Sequence, residues 1–292
     1  AAEAVIATPP PRISVSAVST APPNSTAAEA HPRILGLVAS PCVLAGSQTN
    51  ARLLDTLRRG CARYPGLRLV LNIFDVEAAD AARCDVEGGA LFASSSGPPP
   101  CIVNVTHVLG DKALFWEAAA TPEVLDRGEY EYVFAFDNDM RIADDGFDLE
   151  RAASLLKKAD AGMGQPRVKV VERPSMASAI SLWRTGSAIM PNGTVGTPLD
   201  DKSYAFLSDP LPAGCDALLL EFCENQAPLF TSRAWAAVHT IFLSHLDEKI
   251  FRKTNWGISN TWCRVVERYS AHARGCVLVD EQLATTDERT IE

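Results

Sequence analysis

Tyr130-Glu131-Tyr132-Val133-Phe134-Ala135-Phe136-Asp137-Asn138-Asp139-Met140 joins a short β-favouring run to two acids separated by one residue. Tyr, Val and Phe suit a pleated surface, and an apolar run this short, bounded by polar residues, predicts a core strand rather than a helix. The strand stops where Asp137 and Asp139 begin. In an open α/β sheet, ligands collect outside the carboxyl ends of the strands, so an Asp-X-Asp there is placed to hold a hard divalent cation through oxygen ligands. Acids are also common in turns that follow strands, which is the other reading of the pair.

Working outward, Ile34 to Ser40 predicts a first buried strand. Asn50, a plausible N-cap, opens a helix to about Tyr64, with Leu53, Leu54, Leu57 and Cys61 on one face and Pro65-Gly66 as its stop. Leu67 to Phe74 is a second strand with Asp75 at its carboxyl end. Strand, helix, strand at this length is the βαβ unit of a parallel sheet. Cys101 to Val105 reads as a short strand, Asp111 to Ala120 as a helix, and Pro122 to Arg127 as another short helix. After Asp139, a helix runs from Asp148 to about Ala159, and Arg167 to Val171 looks like a strand. The Gly-, Pro- and Asp-rich stretch from Glu172 to Gly214 predicts long loops over an open site. Alternation returns from Ala217 to Phe222, and a helix is expected from Thr231 to about Leu246, with Trp235, Val238 and Phe242 inward. Nothing repeats internally. The pattern is one α/β domain over residues 31–292, preceded by residues 1–30, an Ala-, Pro-, Ser- and Thr-rich stretch that reads as a flexible stem or tail.

At 292 residues, with 47% apolar and 22% charged, the chain can bury a substantial core. A net charge of −9 argues against a nucleic-acid binder, and Arg58-Arg59 and Lys157-Lys158 read as solvated helix faces. An acidic protein that handles an anionic nucleotide needs a cation to mediate the contact, which agrees with the Asp-X-Asp reading. The 8 cysteines include no Cys-X-X-Cys and no accompanying His, so zinc-ligand spacing is missing. Their even number is compatible with disulfides, the sequence-near pairs being Cys84/Cys101, Cys215/Cys223 and Cys263/Cys276; buried thiols are the alternative. Glycosylation sequons at Asn24, Asn104 and Asn192 point, with the cysteines, to a secretory-pathway lumen. No apolar run is long enough to span a membrane, so membrane attachment would need an anchor outside this chain. No Gly-X-Ser-X-Gly and no phosphate-cradling glycine loop is present, and the histidines have no ligand spacing.

Several segments, in order from Ile34 to Thr286, resemble a plant-rich family known as domain of unknown function 707, itself related to GT-A glycosyltransferases. They are Lys112 to Phe115 through Thr121 to Val124, Glu131 to Asp139, Gly164-Gln165-Pro166, Asn255 to Ile258, and Val277 to Asp280. The most specific is Phe222 to Trp235, which echoes a Val-Glu-Ile-Met-Ala-Pro-Val-Phe-Ser-Arg-X-Ala-Trp pattern. The resemblance implies a single GT-A-like (Rossmann-like) domain with a mostly parallel central sheet flanked by helices. It also implies a metal-dependent glycosyltransferase of the Golgi or another secretory lumen, or a secreted one. The chain departs from the family at Ser259, where the pattern has Asp, and at Thr286, where it has His. A base and a metal ligand would both be lost there, so a catalytically silent relative that binds a glycan or nucleotide sugar is the alternative.

On that reading Asp137 and Asp139 hold Mn²⁺ or Mg²⁺, which neutralises the charge of the departing diphosphate of a nucleotide-sugar donor. Asn138 lies near the ribose. Asp75 is a candidate for the nucleotide base or ribose, or simply a strand-ending acid. Lys112 could meet the phosphates as a point charge or be a surface lysine at a helix start. Glu224 is the candidate to face a glycan or other hydroxyl acceptor, as hydrogen-bond acceptor or general base. Trp256 could be a platform for a sugar ring or a core residue. Asp280 is expected to complete the metal or the acceptor site.

Overall fold

The computed structural model describes residues 31–41, 48–74, 99–110, 112–170, 185–189, 195–198, 211, 214–220, 223, 226–251 and 258–285. β1 (Ile34–Ser40), β2 (Leu67–Ile73) and β4 (Tyr132–Asp137) are buried on both faces, which requires helices on each side of the sheet they share. The period of two in β4 distributes its residues. Tyr132, Phe134 and Phe136 pack with α1 (Gln48–Arg63) and α4 (Leu149–Lys158) in one core. Val133 and Ala135 pack in a second core with α2 (Lys112–Ala119), α3 (Pro122–Gly128), α5 (Ser232–Ile241) and α7 (Ser259–Tyr269). A four-residue α6 (Glu248–Phe251) lies between α5 and α7 in sequence.

Among the described residues, 11 strands form one sheet. The remaining strands are β3 (Ile102–Thr106), β5 (Met140–Arg141), β6 (Ala161–Val170), β7 (Thr185–Ile189), β8 (Val195–Pro198), β9 (Ala217–Leu220), β10 (Leu229–Thr231) and β11 (Arg274–Thr285). The order is β3-β2-β1-β4-β10-β6-β11-β9-β7-β8, with β5 pairing β11 off the path. β3, β2, β1, β4, β6, β11 and β7 run one way, and β10, β9 and β8 run against them. The molecule is thus a mixed α/β domain with a mostly parallel central sheet flanked by helices.

Several elements depart from the sequence reading. β6 starts at Ala161 rather than Arg167, because its Gly and Pro residues mark close packing instead of a loop. A Cβ at Gly162 would come 2.3 Å from Val266 Cγ1 and 2.9 Å from Ser270 Oγ, so glycine lets α7 lie against the strand. Pro166 falls beyond the last pairing of β6 with β10, at Gly164, so its missing N–H removes nothing on that side. α5 stops at Ile241, and a 3₁₀ turn over Leu243–His245 replaces its expected last turn. β7 and β8 occupy part of the stretch expected to be loops. α7 and the long β11 were not anticipated as elements.

Among the described residues two disulfides are present, Cys61–Cys101 and Cys263–Cys276. The second is the expected pair. Cys101, however, bonds Cys61 rather than Cys84: Cys101 stands just before β3, which pairs with β2, and Cys61 lies at the end of α1, just before β2, 40 residues away in sequence. Cys215 and Cys223 are both thiols, not a bonded pair. Cys84, Asn24 and Asn192 lie outside the described residues, while Asn104 is exposed on edge strand β3.

Tyr64 ties α1 to the start of α4. Its hydroxyl lies 3.2 Å from Ile142 O and 3.0 Å from Phe147 O, as donor, and accepts the Leu149 N–H at 3.3 Å. Tyr64→Phe should therefore cost about 1–3 kcal/mol in denaturant unfolding, since it leaves a buried helix N–H and a carbonyl short of a partner. Burial pushes the Tyr64 phenol up from 10.0 to about 12. The folded state thus holds this proton more tightly than the unfolded chain. The associated stability is full below the unfolded value and is lost as pH rises through the folded one. Tyr64→Phe should flatten that alkaline part of the stability profile.

Candidate functional site

The chain runs from β1 out to β2 and β3 on one side, then returns to β4 on the other side of β1. Such a reversal of strand order opens a crevice at the carboxyl edge, the place where open α/β sheets bind ligands. Ala39 is in register with Asn72 of β2 and with Asp137 of β4, so the end of β1 is flanked by both residues.

Asn72, wholly buried, shapes one wall of this edge. Its Oδ1 accepts from the Thr106 hydroxyl and the Val108 N–H, each at 2.8 Å, and its Nδ2 donates to Val108 O at 3.0 Å. The strand β2 therefore holds the loop that leaves β3. Gly110, at φ 98°, then turns the chain with its N–H directed to Phe74 O at 3.4 Å. This loop delivers the first residue of α2 to the edge. Lys112 Nζ sits 2.6 Å from Asp137 Oδ1, with the two side chains 14% and 31% exposed. The same ammonium lies 5.5 Å from the centroid of the Trp116 ring.

On the other flank, residues 226–228 continue β10 alongside β4. Pro228 O accepts from the Ala135 N–H and Gln226 O from the Asp137 N–H, both at 3.0 Å. Asn138 and Asp139 form the turn between β4 and β5 and are half-buried, with Asp139 Oδ1 withdrawn from solvent. β11 ends opposite this turn, because Thr285 faces Met140 and Ala284 faces Arg141.

Asp280 has a cationic partner of its own. In register, Phe134 faces Leu229 and Leu229 faces Gly164, so three residues further on Asp137 and Arg167 reach the same edge of the sheet. Asp280 belongs to the next strand, β11. Its Oδ1 is held by Arg167 at 3.1 Å, and its N–H donates to Asp216 O at 3.0 Å. Asp216 in turn meets Lys158 at 2.6 Å. The carboxyl edge thus carries two cation–carboxylate pairs, Lys112–Asp137 and Arg167–Asp280. Glu281, the next residue, is buried against α4. It accepts the Asp148 N–H at 2.8 Å and meets Arg151 at 3.0 Å, and burial raises its carboxyl above the ordinary range.

Asp75, Glu224, Trp256 and Thr286 lie outside the described residues, and Ser259 opens α7. Asn72, Arg167, Asp216 and Gln226 escaped the sequence reading. Asn72 had a usable signal, a lone polar residue inside an otherwise apolar strand end. Arg167 and Gln226 had none, since their placement depends on the antiparallel insertion of β10.

No family model and no curated protein matches the chain. Among solved structures it is similar to a 4-diphosphocytidyl-2C-methyl-D-erythritol synthase, at 13% identity and a TM-score of 0.38 over 86% of this chain and 90% of that one. It is also similar to S. aureus TarS, at 10% identity and a TM-score of 0.46 over 87% of this chain and 36% of that one. A third is the mannose-1-phosphate geranyltransferase from Thermus thermophilus, at 13% identity and a TM-score of 0.40 over 87% of this chain and 74% of that one. This chain therefore spans little more than a third of TarS. No described helix is long and apolar enough to cross a membrane.

Proposed function

We propose that the protein is a metal-dependent glycosyltransferase that moves a sugar from a nucleotide-sugar donor to a hydroxyl of a glycan or other acceptor. The observation that carries this reading is the position of Asp137 and Asp139 at the carboxyl edge beside β1, where strand order reverses and Lys112 meets Asp137. The donor set suits Mn²⁺ or Mg²⁺, since it consists of hard carboxylate oxygens at the end of one strand. Asp137 and Asp139 would hold the cation, whose charge would stabilise a departing diphosphate.

The remaining roles belong to the chain itself. Lys112 orients the diphosphate as a point charge, and Asn138 faces the ribose. Asp75 takes the base or ribose, Glu224 the acceptor hydroxyl, and Trp256 stacks on a sugar ring. Asp280, held by Arg167, completes the metal or the acceptor side. The two disulfides support a secretory lumen or secretion as the working location.

The second reading is a silent relative that binds without turnover, favoured by Ser259 and Thr286. Incubating the protein and Mn²⁺ with a panel of UDP and GDP sugars, and measuring both thermal stabilisation and donor hydrolysis, separates the two. Stabilisation with hydrolysis supports the transferase. Stabilisation alone supports the binder, and neither response rules out both.

A further inference from the structure

We infer that Gln226 and Arg167 form a subsite beside Asp137 that reads the hydroxyl groups of the donor's sugar, and that it is built for a neutral sugar rather than a uronic acid. This rests on the nucleotide-sugar reading above and names its substrate class. Gln226 O accepts the Asp137 N–H at 3.0 Å, so the residue stands next to Asp137 on the side away from β1. From the facing pair Leu229 and Gly164, three residues lead back to Gln226 on one strand and three lead on to Arg167 on the other, which sets both at the carboxyl edge. Ala135, Phe230, Met163 and Leu278 belong to the second core, and the period of two then gives Asp137, Gln226, Arg167 and Asp280 to that same face of the sheet.

Gln226 Oε1 and Arg167 Nε are withdrawn from solvent and have no hydrogen-bond partner among the described residues. Buried polar groups are nearly always paired, so an acceptor and a charged donor left open at neighbouring strand ends call for a ligand. Their complement is a hydroxyl group, which donates to the amide oxygen and accepts from the guanidinium N–H. A sugar ring supplies such groups on adjacent carbons. Charge then selects among sugars. Arg167 is 14% exposed, and its Nη2 lies 3.1 Å from Asp280 Oδ1. β6 and β11 lose step at this point, since Pro166 faces Val279 while Arg167 faces Gln282, so Asp280 and Glu281 bulge out of the ladder. The bulge gives Asp280 to Arg167 and Glu281 to Arg151 on α4. Arg167 therefore meets a ligand with its charge already offset, and has no uncompensated charge to attract a sugar carboxylate.

The test titrates the full chain, in Mn²⁺, with UDP, GDP, UDP-glucose, UDP-galactose, UDP-glucuronate and GDP-mannose by calorimetry. The readout is the ratio of sugar-nucleotide to bare-nucleotide affinity within each protein, so that a change in cation binding cancels. In the wild type one neutral sugar nucleotide should bind about 10-fold tighter than its bare nucleotide, and UDP-glucuronate no tighter than UDP. In Gln226→Leu, which removes the acceptor oxygen, that preference should fall to about 2-fold. Asp280→Asn uncovers the Arg167 charge, so its ratio for UDP-glucuronate should rise about 10-fold, a gain that mere damage to the fold would not produce. An unchanged preference in Gln226→Leu, or no gain for UDP-glucuronate in Asp280→Asn, overturns the subsite alone. A wild type that prefers UDP-glucuronate, or that binds sugar nucleotides and bare nucleotides alike, does the same. Should Gln226→Leu not fold, the Asp280→Asn ratio decides. Absence of binding of every one of these nucleotides to every protein overturns both the subsite and the reading on which it rests.

Discussion

Asp139→Asn is expected to lower donor turnover on the order of a thousandfold, with the melting temperature nearly unchanged. The substitution keeps the volume of the side chain and an oxygen that can accept hydrogen bonds. It removes one negative charge from the turn between β4 and β5, where Asp139 Oδ1 is already shielded from water. A neutral amide is a poor replacement ligand for a hard divalent cation, and loss of the cation removes several kcal/mol of charge stabilisation from the departing diphosphate. Steady-state kinetics with the best donor, together with a thermal melt, checks this. Wild-type turnover in the variant would remove Asp139 from the proposed site.

Trp235→Ala is expected to be the most damaging single change to the fold, at about 3–5 kcal/mol of unfolding free energy and a drop of roughly 10 °C in melting temperature. Trp235 is wholly buried on α5 and stands edge-on to Phe230 at 5.1 Å between centroids. Its Nε1 also donates to Ala120 O at 2.7 Å, at the junction between α2 and α3. Truncation therefore creates a large cavity and leaves a buried carbonyl without its donor. Because α2 carries Lys112, the variant should also weaken nucleotide binding more than a remote destabilisation of equal size. Calorimetric melts and nucleotide titrations compared with Tyr64→Phe, which acts on the opposite core, measure both effects.

The part of the fold that local pattern specifies was legible. β1, α1, β2 and β4 each declare themselves through an uninterrupted apolar run or a helical face, and the βαβ rule then orders them. Thr121 and Asp148 announce α3 and α4, since their side chains cap the Val124 N–H and the Glu150 and Arg151 N–H groups. The other half was hidden for an equally physical reason. β6 carries Gly162, Gly164 and Pro166, residues that weaken a strand by propensity, yet here admit α7 and end the pairing with β10. Tertiary packing overrides local preference there.

The site divides in the same way. Asp137 and Asp139 could be read because an apolar strand ending in two acids needs no partner to be noticed. The pairing of Lys112 with Asp137 could be suspected from neither residue alone, because it depends on Asn72 and Gly110 guiding the loop between β3 and α2. Asp280 was assigned to the metal or the acceptor site from its place in a resembling motif. Its contact with Arg167, on β6 two places from β4, is a property of strand order that no local motif encodes.

The central claim is that the carboxyl edge between β1 and β4 binds a nucleoside diphosphate through a divalent cation. Isothermal titration of UDP and GDP into the protein, with Mn²⁺ and then with excess EDTA, tests it most directly. The account predicts saturable binding of at least one nucleotide with Mn²⁺, lost with EDTA and lost in Asp139→Asn. Binding that survives both EDTA and Asp139→Asn, or no binding of either nucleotide under any condition, would contradict it.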